Sequence, residues 1–249
     1  MKLWPELLSE WRRQYYCRIA IPTLPNKKPM TLKHSYSGIK DYENCQRKYH
    51  AVRILKRFVQ SDTAATKYGK QAHEAFEVYI RDNGELDPRF SQFEKFLSPL
   101  RALGGDKLCE YQMGLTASLT PCKFDADDVW LRGIADLIVL NREKHIARIV
   151  DYKTGKSSRY ADTAQLELMA AMTMLHFPEI DKVKAALIFV VADDIVKAEY
   201  ERKELSDILS RWVAKTEAIE RSVALNVWNA APSGLCKFCP LPQGECEHR

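Results

Sequence analysis

Three side chains with the chemistry to hold a cation beside an anion stand close together in Leu131–Lys156, LRGIADLIVLNREKHIARIVDYKTGK. The stretch reads as two strands joined by a polar turn. The first, Leu131 to Leu140, carries one acid, Asp136, within an apolar run. The second, Ile146 to Thr154, ends in Asp151-Tyr152-Lys153. A carboxylate inside a β-branched run is costly to bury unless something binds it. Side chains alternate along a strand, so Asp151 and Lys153 point the same way, and pairing of the two strands brings Asp136 to the same spot. Two carboxylates and a lysine converging at a strand end suit a hard divalent cation and an anionic substrate. By itself an Asp-x-Lys step also fits an exposed ion pair on an edge strand, and Asp136 a bulge. The remaining elements have to separate these readings.

Tyr68 to Ile80 (YGKQAHEAFEVYI) reads as a helix on which Gly69, His73 and Glu77, each four apart, line one face. Ser35 to Phe58 reads as a second helix with Ser37 as its N-cap, running from Gly38 into the fifties with Cys45 at its middle. Arg47, Lys48, Arg53, Lys56 and Arg57 make its second half basic, either a solvated face or one that contacts phosphates. Leu108 to Leu119, with Glu110 near its start, is expected to be the first strand of the sheet. Asn83-Gly84 and Asp87-Pro88 mark turns before a packing helix, Phe90 to Leu100. Asp162 to Phe177 forms a helix with Ser157, Ser158 and Asp162 as capping candidates. Gln165 lies in its first turn and by itself reads as an ordinary surface glutamine. Val183 to Ala192 is a continuous apolar run, hence a buried strand parallel to part of the sheet. Leu205 to Leu225 is a long amphipathic helix. Residues 1–32 read as an extension, with a short helix over Trp4 to Ile19 and a connector set by Pro22, Pro25 and Pro29.

The segment 232–249, PSGLCKFCPLPQGECEHR, carries Cys236-x2-Cys239-x6-Cys246 in a Pro/Gly-rich loop that can fold around an ion. A fourth ligand is needed. His248 completes a zinc site locally in one reading. In the other, Cys45 reaches across and closes a four-thiolate site suited to zinc or a [4Fe–4S] cluster. Cys17, Cys109 and Cys122 read as ordinary small residues.

The composition bounds these readings. The chain has 249 residues, 46% hydrophobic and 29% charged, without repeats or low-complexity tracts. Its 38 basic and 33 acidic residues give +5, which permits a polyanion partner without requiring one. Met1 to Glu10, broken by Pro5 and acids, does not read as a signal peptide, and no run has the length of a membrane span. The expectation is a soluble, cytoplasmic protein, in the host cell if phage-encoded, with no membrane partner. Seven cysteines, an odd number, argue for metal ligands or free thiols over a disulfide framework.

Taken in order, these pieces resemble the PD-(D/E)XK nuclease superfamily, specifically the RecB-like iron–sulfur exonucleases that include the CRISPR-associated exonuclease and the AddB nuclease domain. The resemblance covers roughly residues 33–246. It rests on Ser35, Ser37 and Cys45; on Gly69, His73 and Glu77; on Gly133 and Asp136; on Asp151 to Gly155; on Gln165; and on Cys236, Cys239 and Cys246. Met169 stands where the family often has a tyrosine, and Gln46 where a proline commonly follows the first cysteine.

The resemblance implies an α/β fold with a restriction-endonuclease-like core, a central mixed sheet flanked by helices, and a Cys-rich C-terminal iron–sulfur loop, all within a nuclease domain of residues 33–249. It implies that His73, Asp136, Asp151 and the Tyr152 carbonyl hold Mg²⁺ or Mn²⁺, with Lys153 and Gln165 assisting catalysis. Glu77 is implied beside the ligands or bound through water, and Glu110 is a candidate for a second metal. Cys45, Cys236, Cys239 and Cys246 would carry a structural [4Fe–4S] cluster, with zinc as the alternative, and the basic helix would guide the DNA backbone. The implied activity is a metal-dependent DNA exonuclease acting on single strands or ends in recombination, repair or CRISPR adaptation. The alternative is a non-catalytic or partner-dependent DNA-end-processing subunit of a larger complex.

Overall fold

The alternation read from residues 131–154 builds a hairpin. In the computed structural model, which describes residues 32–58 and 63–249, its strands are Val129–Asn141 and Ile146–Lys153. The turn closes with His145 in the left-handed region and the Lys144 amide donating to the Asn141 side chain, 3.0 Å. The expected helix over Trp4 to Ile19 and Cys17 lie outside the described residues.

Numbered along the chain, the strands are β1 (His34–Ser35), β2 (Asp106–Thr116), β3 (Pro121–Cys122), β4 (Val129–Asn141), β5 (Ile146–Lys153), β6 (Lys182–Phe189) and β7 (Asp194–Glu201). They form one mixed sheet in the order β3-β2-β4-β5-β6-β7, with the short β1 lying parallel to the start of β4. β5 and β6 are parallel, and the other neighbours along that order are antiparallel. A parallel pair needs a crossover, which α5 (Ala164–His176) supplies.

Helices cover both faces. α3 (Ala64–Arg81) and α4 (Glu94–Arg101) bury Phe76, Tyr79 and Leu97 against Leu137, Val139, Val150 and Tyr152. α5 lies on the other face, with its residues Leu166 and Leu168 to Met174 all buried. A helix enclosed between a sheet and a further helix has no polar stripe, which accounts for its Leu/Met/Ala composition. The covering helix is α6 (Leu205–Leu225), whose Trp212 is 1% exposed and donates its indole N–H to Glu167 of α5, 2.9 Å.

The helix expected to run from Gly38 into the fifties is broken. Its N-cap is Ser35, whose hydroxyl accepts from the Gly38 amide at 3.2 Å, so Ser37 is not the cap. α1 (Tyr36–Asn44) stops at Cys45, which is extended (φ −169°, ψ 111°). The chain resumes as α2 (Gln46–Tyr49) and a π-helical turn, His50–Ile54. The cause is a competing partner. The Arg47 amide donates to the Asn229 carbonyl (3.2 Å) and the Gln46 side chain accepts from the Asn229 amide (3.2 Å). The chain after α6 thus takes the backbone bond that a continuous helix would have used.

Candidate active site

Registry places three acids in one row across three strands. Cys109 pairs with Leu137 and Tyr111 with Ala135, so Glu110 of β2 stands opposite Asp136 of β4. Leu137 pairs with Val150 as the last partners of β4 and β5, so the next position, Asp136, faces Asp151. The row is also where the pleat inverts. Side chains two apart on a strand should share a face. Yet Cys109 and Leu137 belong to the α3–α4 side, whereas Tyr111 packs its ring 5.6 Å from Phe177 after α5, and the α-carbon of Gly133 abuts Met169 of α5. Glu110 takes up the inversion with a left-handed φ of 48°. Its carboxylate and that of Asp136 thereby meet the α3 residue His73, which regular alternation would not allow.

Each acid is held differently. Asp136 Oδ2 accepts the Tyr152 amide at 2.7 Å, the N–H that would otherwise continue the β4–β5 ladder, and lies 3.4 Å from His73 Nδ1. His73 Nε2 donates to the Tyr152 carbonyl at 3.0 Å. α3 reaches this close because Gly69 lacks a side chain, and a Cβ there would stand 3.1 Å from the Thr154 hydroxyl. Asp151 is only 6% exposed. Its Oδ1 accepts from the Gln165 amide, and Lys153 Nζ sits 2.5 Å from its Oδ2 and donates to Gln165 Oε1 at 3.0 Å. Asp151, Lys153 and Gln165 therefore close a ring. The Lys153 contact is an ion pair without hydrogen-bond alignment, so buried Oδ2 takes no hydrogen bond.

The electrostatics follow from crowding of like charge. Burial, then the nearby Asp136 carboxylate, push the Asp151 pKa up to about 6 against the pull of Lys153. Burial and Asp136 also raise Glu110. Burial opposes the charged form of His73, but Asp136 beside it, with Asp151 and Glu110, holds its pKa above the ordinary histidine value. Among the described residues, His73, Glu110 and Asp136 can each offer an atom within 4.8 Å of the others. An imidazole, two carboxylates and the adjacent unsatisfied oxygen of Asp151 are a donor set that fits a divalent cation.

The site opens into a cleft of about 730 Å³ lined by residues that include Gly69, Lys70, His73, Glu77, Glu110 and Thr154. Glu77 faces it while pairing with Arg81, 2.5 Å away. Sequence reasoning gave no role to Lys70, and it had Thr154 only as a member of the Asp151 to Gly155 motif, without a role of its own. For Lys70 the signal available was adjacency, since it directly follows Gly69 of a motif.

The cysteines gather elsewhere. Cys45, Cys236, Cys239, Cys246 and His248 line one small cavity of about 20 Å³, and none of the four thiols is in a disulfide. Cys236 Sγ accepts from the Ser233 amide at 3.3 Å. Cys109 packs beside the α3–α4 core, where burial raises its thiol to about 11, and Cys122 lies on β3. Of the basic residues after Cys45, Arg47 pairs with Glu247, Arg57 with Glu245 (2.6 Å) and Arg53 with Asp41 (2.5 Å). Lys48 lines the cysteine cavity and Lys56 adopts a left-handed φ of 51°. Two of these arginines therefore clamp the C-terminal segment onto the stretch that follows Cys45.

Residues 33–243 match the family model of the PD-(D/E)XK nuclease superfamily. The crystal structure of a candidate exonuclease from Eubacterium rectale is similar at 17% identity and a TM-score of 0.49, over 84% of this chain and 88% of that one. The crystal structure of the protein SSO0001 is similar at 13% identity and a TM-score of 0.45, over 96% and 94%. No curated protein matches the sequence.

Proposed function

The chain belongs to the PD-(D/E)XK nuclease superfamily, and we propose that it is a metal-dependent DNA exonuclease acting on single strands or DNA ends in recombination, repair or CRISPR adaptation. One observation carries this reading: Glu110, Asp136 and Asp151 form a row beside His73 and Lys153 at the point where β4 and β5 part. His73, Asp136, Asp151 and the Tyr152 carbonyl would hold Mg²⁺ or Mn²⁺, and Glu110 stands close enough to serve the same or a second ion. When bound, the cation lowers the pKa of a water and draws charge from the scissile phosphate.

The side chains of this chain supply the rest. Lys153, held by Asp151 and Gln165, presents a fixed positive charge that orients the attacking water and offsets charge developing on the phosphate. Gln165 positions both partners by donating to Asp151 and accepting from Lys153. Arg47, Arg53 and Arg57 already hold carboxylates, so contact of the basic segment with the DNA backbone falls first to Lys48 and Lys56.

Cys45, Cys236, Cys239 and Cys246 would hold a structural [4Fe–4S] cluster. Their shared cavity and free thiols support this. Zinc is the alternative occupant of the same four thiols.

The test is degradation of end-labelled linear and circular single-stranded DNA by anaerobically purified protein, with Mn²⁺, Mg²⁺ or EDTA, alongside Lys153→Ala and Asp151→Ala. Cation-dependent loss of linear but not circular DNA, reduced at least a hundredfold or so in both variants, is the expected result. A folded protein that binds DNA ends and cuts nothing would replace the stand-alone enzyme with a binding module or a partner-dependent subunit.

A further inference from the structure

Tyr160 is the most exposed large apolar side chain among the described residues, at 86%. Its place in the chain is specific. The loop Thr154–Thr163 joins Lys153 to the helix bearing Gln165, and Thr154 and Gly155 at its start line the catalytic cleft. The loop is braced on both sides of Tyr160. The Ala161 amide donates to the Ser158 carbonyl (2.8 Å), which makes Arg159 and Tyr160 the central residues of a β-turn. One foot is fixed by the Ser158 hydroxyl, which donates to Asp194 of β7. The other is fixed by Asp162, which accepts from the Ala164 amide (2.9 Å) and pairs with Lys40 of α1 (2.9 Å). The Arg159 guanidinium lies over the tyrosine ring, 5.6 Å from its centroid, and exposed Lys156 precedes them.

Two clamps holding an aromatic ring out into water, beside two cations and on the loop that leaves the cleft at Thr154 and Gly155, form a preorganised surface. A flat ring with a neighbouring guanidinium recognises the π-face of an unpaired base without regard to its identity. A base paired in a duplex has no face to offer. We infer that Tyr160, backed by Arg159 and with Lys156 toward the backbone, is a stacking subsite for an unpaired nucleobase at the mouth of the cleft. It rests on the nuclease reading and adds a reason for single-strand preference.

The test is fluorescence anisotropy of a labelled oligothymidylate, without added divalent cation so that the strand stays intact, for wild type, Tyr160→Ala and Tyr160→Trp. A series with one abasic position moved along the strand, and a blunt duplex, complete the set. Tyr160→Ala is expected to weaken single-strand binding roughly tenfold, leave the duplex unchanged and erase an abasic penalty that wild type shows at one position. Tyr160→Trp is expected to restore it. Equal affinity of wild type and Tyr160→Ala for every oligonucleotide, in a protein that still cleaves DNA, overturns the subsite alone. Equal losses on intact, abasic and duplex DNA also overturn it, since that pattern is not stacking. A wild type that binds and cuts no DNA overturns the subsite together with the nuclease reading.

Discussion

Asp151 shows how the chemistry proposed for this site and the stability of the fold oppose each other. Its pKa rises on folding from an ordinary 3.8 to about 6, so the folded state binds its proton more tightly than the unfolded state does. The consequence for stability has one sign: the metal-free protein loses stability as pH rises from about 4 through about 6. Glu110 and His73, also raised, act in the same direction. Asp151→Asn is therefore expected to raise the melting temperature of the metal-free protein at pH 7.5 while abolishing cleavage, and to raise it clearly less at pH 4.5. Added Mn²⁺ should stabilise wild type much more than the variant. Its affinity for wild type, measured calorimetrically, should climb between pH 5.5 and 8 with release of protons. Gln165→Ala, which removes a support and leaves the lysine, should lower kcat by about tenfold, less than Lys153→Ala does.

At the scale of elements, the site depends on two close approaches made by glycine. Gly69 brings α3 onto the end of β5, and Gly133 lets α5 lie on β4 just before the row of acids. A Cβ at Gly133 would fall 2.3 Å from Met169 Cε, the free end of a flexible side chain that can move aside. At Gly105 the same atom would meet the Leu140 carbonyl oxygen at 2.3 Å, with φ at +122°. Gly133→Ala should cost about 1–2 kcal/mol in a denaturation midpoint, and Gly105→Ala clearly more, because backbone cannot yield as methionine can. Gly133→Ala should also weaken cleavage through α5, which carries Gln165.

Across the whole molecule, the C-terminal segment is tied to the first helical region by Glu247 to Arg47, Glu245 to Arg57 and the Asn229 bonds to Gln46 and Arg47. Exposed ion pairs are weak singly, so these contacts alone hold the tail loosely. A cluster bridging Cys45 to Cys236, Cys239 and Cys246 would supply the stronger tie. Cys45→Ala is expected to lose any brown colour, lower the melting temperature and admit limited proteolysis within residues 232–249. The sheet and its α3–α4 core should stay protected in the same digest.

The sequence by itself determined a hairpin, read over 131–154 and found at 129–153, a buried parallel strand, read as 183–192 but ending at Phe189, the α6 boundaries and the residue types of the site, because alternation and apolar runs are local consequences of burial. It also showed the order of the motif residues through which the family was legible. Tertiary structure alone decided three things. The pleat inverts at Glu110 and Asp136, because a left-handed residue there breaks an alternation that pattern reading assumes throughout. The helix through Cys45 breaks because Asn229, some 180 residues away, takes the Arg47 amide hydrogen bond that would have continued it. Arg47 and Arg57, read as a basic face, turn to the tail because their partners Glu247 and Glu245 are close only in the folded chain.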